Sequence, residues 1–300
     1  MRRILPSARP TLSWRAGLWL MLLPYLLGTI VLVALPALMS AGLAFTFYDA
    51  LSPPVFVGFT NLRLLAADPM VTTAFANALV FIVLAVPLRI LGALALAMLL
   101  HRPRRGVGVY RAAVYVPTVI PDVAYALIWL WIFNPLFGPV NMALGALGLP
   151  MPAWLAEADT ARFPFVIMSL FQIGEGFVVL LAALRGLPRE YFDAGAVDGA
   201  GRWDSFRYLT LPLLLPWLVL LSVRDVILSF QYTFTPSLVM TGGDPYYATL
   251  FVPLLIYEEA FDRFRYGPGS ALMLLVFLFS AAIIAGIYLL FRRLGYTGDV

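Results

Sequence analysis

The sequence contains no cysteine and no lysine, and its single histidine is His101. Without cysteine there are no disulfides, thiolate nucleophiles or Cys-ligated zinc sites. One imidazole cannot build a multi-His metal centre, so no metal site is expected. Without lysine there is no Gly-x-x-x-x-Gly-Lys-Ser/Thr loop, which excludes an ATPase of the P-loop type. His101 lies in a basic stretch between two apolar runs, a poor setting for a Ser-His-Asp hydrolase. Charge is scarce as well: 12% of the 300 residues, against 62% hydrophobic. A water-soluble domain of this size cannot hide so much apolar surface, so lipid must be part of its solvent. Aromatic residues make up 14%, in keeping with rings at a membrane interface.

Crossing hydrocarbon takes roughly 20 mostly apolar residues in a helix. Six stretches meet that length, at about 14–39, 73–100, 112–133, 163–184, 211–234 and 270–291. The expected fold is an all-α integral membrane protein, one transmembrane domain over residues 1–300. All 20 basic residues are arginines, and their placement orients the chain. Arg2, Arg3, Arg9 and Arg15 precede the first span. Arg102, Arg104, Arg105 and Arg111 lie between the second and third, Arg185, Arg189, Arg202 and Arg207 between the fourth and fifth, and Arg292 and Arg293 after the sixth. The opposite connections hold only Arg63, Arg162, Arg263 and Arg265. The positive-inside rule places both termini in the cytoplasm, with the 137–162 loop outside. The first apolar run is too long for a signal-peptide core, and Leu22-Leu23-Pro24-Tyr25 is no small-residue cleavage site, so it reads as a retained helix. The basic loops are short and border membrane helices, which argues against nucleic-acid binding.

The loop over 185–212 carries the strongest local signal. Pro188 suits a helix start and Glu190 a first turn, while Gly199 and Gly201 can end the helix and turn the chain. A second short helix from Arg202 then leads to Pro212 at the fifth span. The expected object is a helix–turn–helix on the cytoplasmic face. Its small residues Ala194, Gly195 and Ala196 would let another surface approach closely.

This loop resembles the EAA loop of ABC-importer permeases. The family pattern runs Glu-Ala-Ala, three residues, Gly, nine residues, Ile, one residue, Leu-Pro. Asp193, Ala194 and Gly195 stand in the triplet, Gly199 follows after three residues, and Leu209, Leu211 and Pro212 fall at the required spacing. The departures are Asp for Glu, Gly for Ala and Leu for Ile. Gly195 weakens the helix by about 1 kcal/mol relative to Ala. Val57-Gly58-Phe59-Thr60-Asn61-Leu62, Asp68-Pro69, Asn77-Ala78-Leu79, Pro117 to Pro121, Trp129 to Phe133, Ser229-Phe230-Gln231 and Met240 to Pro245 extend the likeness, in order, over nearly the whole chain. It is similar to the carbohydrate uptake group, in particular the first permease of the maltose, lactose and glycerol-3-phosphate importers. The resemblance implies a transporter subunit rather than an enzyme, in the bacterial inner membrane. Its implied partners are a second homologous permease, a cytoplasmic ATPase dimer and an extracytoplasmic solute-binding protein. No cofactor is implied in this chain, and Mg-ATP belongs to the ATPase. By the same resemblance Asp193, Ala194, Gly195 and Gly199, with Leu211 and Pro212, form the ATPase-coupling contact.

Ionisable residues inside spans are costly, roughly 2.5–3.5 kcal/mol each at mid-helix, and therefore mark candidate functional positions. Arg89, Asp122, Glu175, Arg224 and Asp225 are the five. Counted along straight helices, Arg89, Glu175 and Arg224 fall about 15–18 Å from a helix end, and Asp122 nearer the cytoplasm. In sugar-type permeases the later helices hold the sugar, which points to Gln172, Glu175, Asp225, Gln231 and Tyr232 as the substrate path. Carboxylates, amides and aromatic rings suit hydroxyl-rich solutes. The competing reading makes these charges buried ion pairs that fix helix register. It is preferred for Arg89 and stands equal for Glu175 and Gln231, and Tyr232 reads as core or interface more readily than as a sugar platform. Gly92, Gly174, Gly176 and Gly286 read as close-packing positions, with a loosened helix around Glu175 as the alternative for Gly174 and Gly176.

Other functions remain as rivals. A permease for a polyamine or phosphate ester would share every feature above. An ion-coupled secondary transporter predicts inverted repeats, and no convincing repeat relates residues 1–150 to 151–300. An intramembrane enzyme would need nucleophile or metal chemistry at suitable spacing, which is absent.

Overall fold

The computed structural model describes residues 13–293; Arg2, Arg3 and Arg9, which entered the orientation argument, lie outside the described residues. The elements are α1 (Trp14–Leu43), α2 (Thr60–Ala66), α3 (Pro69–Leu100), α4 (Val107–Val119), α5 (Asp122–Ile132) and α6 (Pro139–Ala146). There follow α7 (Arg162–Leu170), α8 (Gly174–Gly186), α9 (Arg189–Val197), α10 (Arg202–Thr241), α11 (Val252–Tyr257) and α12 (Tyr266–Arg293). One small antiparallel pair, Thr46–Phe47 with Val55–Phe56, departs from the all-helical expectation.

Five helices are long and apolar enough to cross a membrane: α1, α3, the α7–α8 pair, α10 and α12. The third expected span is not one straight helix. Its halves α4 and α5 meet at a bend of 102°. Pro121 is the cause. The residue before a proline is driven out of the helical region, and Ile120 sits at φ −70°, ψ 129°, extended. The fourth expected span is also interrupted, over 171–173, immediately before Gly174. A Cβ on Gly174 would lie 2.8 Å from Thr118 Cγ2 and 2.9 Å from Tyr115 Cα. Gly174 is therefore both a close-packing position and the restart of a broken helix, so packing alone does not describe it. Gly92 and Gly176 make ordinary packing contacts, and nothing among the described residues approaches Gly286 within 4 Å.

Helix ends shift for local reasons. The second span starts at Pro69 because Asp68 caps it, accepting the Met70 N–H at 2.8 Å with proline at the first position. The fifth helix runs back to Arg202, so the second half of the 185–212 loop is continuous with it. A widened turn over Ser205–Thr210 precedes Pro212, which has no N–H to donate.

The buried core gathers around α3, which packs against α7, α8 and α10. Ala93, Leu94 and Ala97 meet Phe177, Leu180, Leu214 and Leu218 toward the 185–212 loop. Ala74, Ala78 and Phe81 meet Phe165, Phe230, Leu250 and Phe251 toward the other end. There Asn77 donates to the carbonyls of Tyr247 and Leu250 at 2.8 and 2.9 Å, pinning the turn before α11 to α3. In contrast, α1 has no buried residue, although its second half lies along α12. An apolar helix with so little of its surface covered, in a chain of this composition, must face lipid or another subunit.

Candidate functional site

The chain offers two sites, toward opposite ends of α10. The first is the 185–212 loop. Pro188 sits just ahead of α9 in an extended conformation, and Glu190 lies in the first turn. No residue of α9 is buried. Its C-terminus closes through Asp198 N–H to Ala194 O (3.0 Å), Gly199 N–H to Ala196 O (3.2 Å) and Ala200 N–H to Gly195 O (2.8 Å). That closure requires a left-handed residue, and Gly199 supplies it with φ +80°. The Asp204 carboxylate then accepts the Gly201 N–H at 3.2 Å and starts α10. Asp193, Ala194 and Gly199 are exposed, as are Tyr191 and Val197. Gly195 differs: a Cβ there would come within 3.1 Å of Leu209 Cδ1. Its smallness seats Leu209 on α9 and holds the two halves of the loop together. Leu211 packs into the core beneath, and Pro212 is exposed.

The second site lies where the two broken helices meet α10. A narrow pocket of about 10 Å³ is bounded by Asp122 and Tyr125 of α5, Ser169 and Gln172 beside the 171–173 break, and Gln231, Tyr232 and Thr235 of α10. Asp122, Gln231 and Thr235 also line an adjoining open cleft of about 420 Å³, walled by Phe234, Ile256, Met273 and Val276 among others. The Tyr125 hydroxyl donates to Met168 O at 2.5 Å, fastening α5 to α7. Of the residues expected on the path, Gln172, Gln231 and Tyr232 share the pocket. Asp225 and Glu175 do not line it.

Those two carboxylates belong to an adjoining chain of charges. The Glu175 carboxylate pairs with Arg224 across α8 and α10, and Arg224 Nη1 lies 3.1 Å from Asp225 Oδ1. Asp225 Oδ2 is 3.5 Å from Arg89 Nε, and both of these side chains are buried. The Arg89 guanidinium lies over the Tyr232 ring, 4.6 Å from its centroid. Arg89 is thus a buried ion-pair partner, as preferred from sequence. Tyr232 both packs against a cation and lines the pocket. The Glu175–Arg224 pair is half exposed and carries little stabilisation of its own.

Asp122 is the residue that counting along a straight helix misplaced. Because the chain bends at Pro121, Asp122 lies beside Gln231 and Thr235, in the half of α10 remote from the 185–212 loop. The available signal was Pro121-Asp122 itself, a helix-start pattern with an acidic first turn. Thr235 and Ser169 were missed because single hydroxyls in apolar runs carry no periodic signal.

Residues 89–296, more than half of the chain, match the family described as "Binding-protein-dependent transport system inner membrane component". The chain is 30% identical over 284 residues to the probable starch degradation products transport system permease protein AmyD of Thermoanaerobacterium thermosulfurigenes, covering 92% of this chain and 94% of that protein. It is 31% identical to the trehalose/maltose transport system permease protein MalF of Thermococcus litoralis, covering 87% and 88%. Among solved structures, a bacterial ABC transporter involved in the import of the acidic polysaccharide alginate has the same fold, with TM-score 0.77, 21% identity and coverage of 93% and 96%. With that family match, the exposed loop and the apolar helices in agreement, the chain belongs to the binding-protein-dependent inner-membrane components: it is a multi-pass permease subunit of an ABC transporter, a transport component and not an enzyme.

Proposed function

We propose that the subunit forms one half of the translocation path of an importer for a sugar or sugar-like solute. The named cargoes of its starch-product and trehalose/maltose relatives support that class. In this reading the chain crosses the membrane six times, with the bent α4–α5 pair as the third crossing and both termini cytoplasmic. A second homologous permease completes the path, an extracytoplasmic binding protein delivers the solute, and a cytoplasmic ATPase dimer holds the Mg-ATP. Gln172, Gln231 and Tyr232 meet the solute, while Glu175 and Asp225 support them through the arginine chain. Asp193, Ala194 and Gly199 present the outer face of α9 to the ATPase, Gly195 seats Leu209 and so fixes that helix to α10, Leu211 anchors α10 in the core, and Pro212 marks where α10 enters the bilayer.

The observation that carries this reading is α9: a short helix, wholly unburied, closed by a glycine at φ +80° and joined directly to the helix that lines the pocket. A rigid element linked to both sites can bias one by the other, which coupling requires. The test is topology and assembly together. A reporter fused at Gly201 should report the cytoplasm, and the ATPase should co-purify with the subunit and be stimulated by its sugar. A periplasmic signal at Gly201 overturns the orientation and with it the coupling role.

A further inference from the structure

Among the described residues, Asp122 is the sole charged side chain lining either the narrow pocket or the open cleft, and it makes no ion pair there. Asp122 is an exposed residue. In a membrane helix an exposed carboxylate must meet water or a partner, and no cation among the described residues reaches this one, which leaves water in the cleft or a partner subunit. The neighbouring charges cancel. Glu175, Arg224, Asp225 and Arg89 form a chain of two acids and two bases, each engaged with the next. One negative charge therefore remains beside the cleft.

We propose that Asp122 keeps this cleft electronegative, fitting it to uncharged polyhydroxylated solutes and excluding those that carry phosphate, sulfonate or carboxylate groups. The proposal rests on the reading that the cleft belongs to the translocation path. Recognition of an anion calls for arginine, lysine or a cluster of free N–H groups. Both nearby arginines are committed to Asp225 and Glu175. The N-terminus of α5 would attract an anion, but Asp122 itself occupies that first turn. What the cleft and pocket offer a solute besides Asp122 is uncharged: the amides of Gln172 and Gln231 and the hydroxyls of Ser169 and Thr235. Amides and hydroxyls both donate and accept, as sugar hydroxyls do. A carboxylate adds a strong acceptor for a sugar hydroxyl and a like-charge barrier to an anion.

The absence of cysteine makes the potential measurable. Met273→Cys places a single thiol on the wall of the cleft, and Val197→Cys places one on the exposed face of α9 as a reference. Each is reacted, in permeabilised membranes containing the full-length subunit, with a cationic and an anionic methanethiosulfonate of equal size. The cationic-to-anionic rate ratio in Met273→Cys, normalised to that in Val197→Cys, should exceed unity. It should fall about tenfold when Asp122→Asn is added, the effect of removing one charge felt oppositely by the two reagents across a wet gap. The isosteric Asn keeps the helix start intact, and normal labelling of the α9 reference thiol in the same background verifies insertion. An unchanged ratio in Asp122→Asn, a faster anionic reagent in the parent, or a cleft thiol inert to both reagents overturns the proposal. Labelling uses neither solute nor ATPase, so these outcomes stand apart from the Gly201 reporter and ATPase co-purification, which bear on the proposed function alone.

Discussion

Gly199 gives the sharpest test of the coupling role proposed for the 185–212 loop, because it separates conformation from contact. A Cβ built there meets nothing within 4 Å, so substitution brings no clash inside the subunit. The entire penalty lies in φ +80°. An ordinary L-residue held left-handed costs about 1–2 kcal/mol, Asn less and a β-branched residue more. If the ATPase binds the closed α9 turn, that cost appears in its affinity, at about tenfold for each 1.4 kcal/mol. Gly199→Ala should weaken ATPase retention about 5- to 30-fold, Gly199→Asn by a smaller factor, and Gly199→Val most, abolishing uptake. Ala194→Trp is the complement. Ala194 is exposed, so the bulky ring disturbs no internal packing and acts only on a docked partner. The assay is ATPase retained on the purified membrane complex over a titration of ATPase, alongside uptake. Val, Asn and wild type binding alike, with Ala194→Trp also neutral, would remove α9 from the mechanism.

Two further outcomes follow from the interior. Gly174→Ala must push against Thr118 and the Tyr115 backbone, and overpacking of this kind costs about 1–3 kcal/mol, seen as a lower Tm of the detergent-solubilised subunit; an unchanged Tm would mean that the α4–α8 crossing is loose. Glu175→Ala and Gln231→Ala should each lower uptake while ATPase retention stays at the wild-type level, with Gln231→Ala the more severe because Gln231 lines both pocket and cleft whereas Glu175 acts through Arg224; normal uptake in both variants would remove the polar pocket from the path.

The amino-acid sequence by itself settled where apolar helices run, because hydropathy sums the transfer cost of each residue into lipid and needs no partner. It also located the helix–turn–helix over 185–212, whose signals are local: Pro188 before the helix, and Gly199 and Gly201 after it. Pro188 stands extended just ahead of α9 and the Gly199 N–H donates to Ala196 O, while the Asp204 carboxylate, which the sequence did not single out, accepts the Gly201 N–H at the start of α10. Tertiary structure alone decided where the breaks and charges meet. Hydropathy is blind to direction, so a helix folded through 102° at Pro121 scores like a straight one, and Asp122 was counted to the wrong depth. The close approach of Tyr115 and Thr118 to Gly174 comes from another helix. Gly195 reads as a docking surface in sequence, yet it is Leu209 that fills the space above it. The pairing of Arg89 with Asp225, and of Glu175 with Arg224, joins residues far apart in the chain. A buried charge announces that it must have a partner, but which partner is fixed only by how the helices pack.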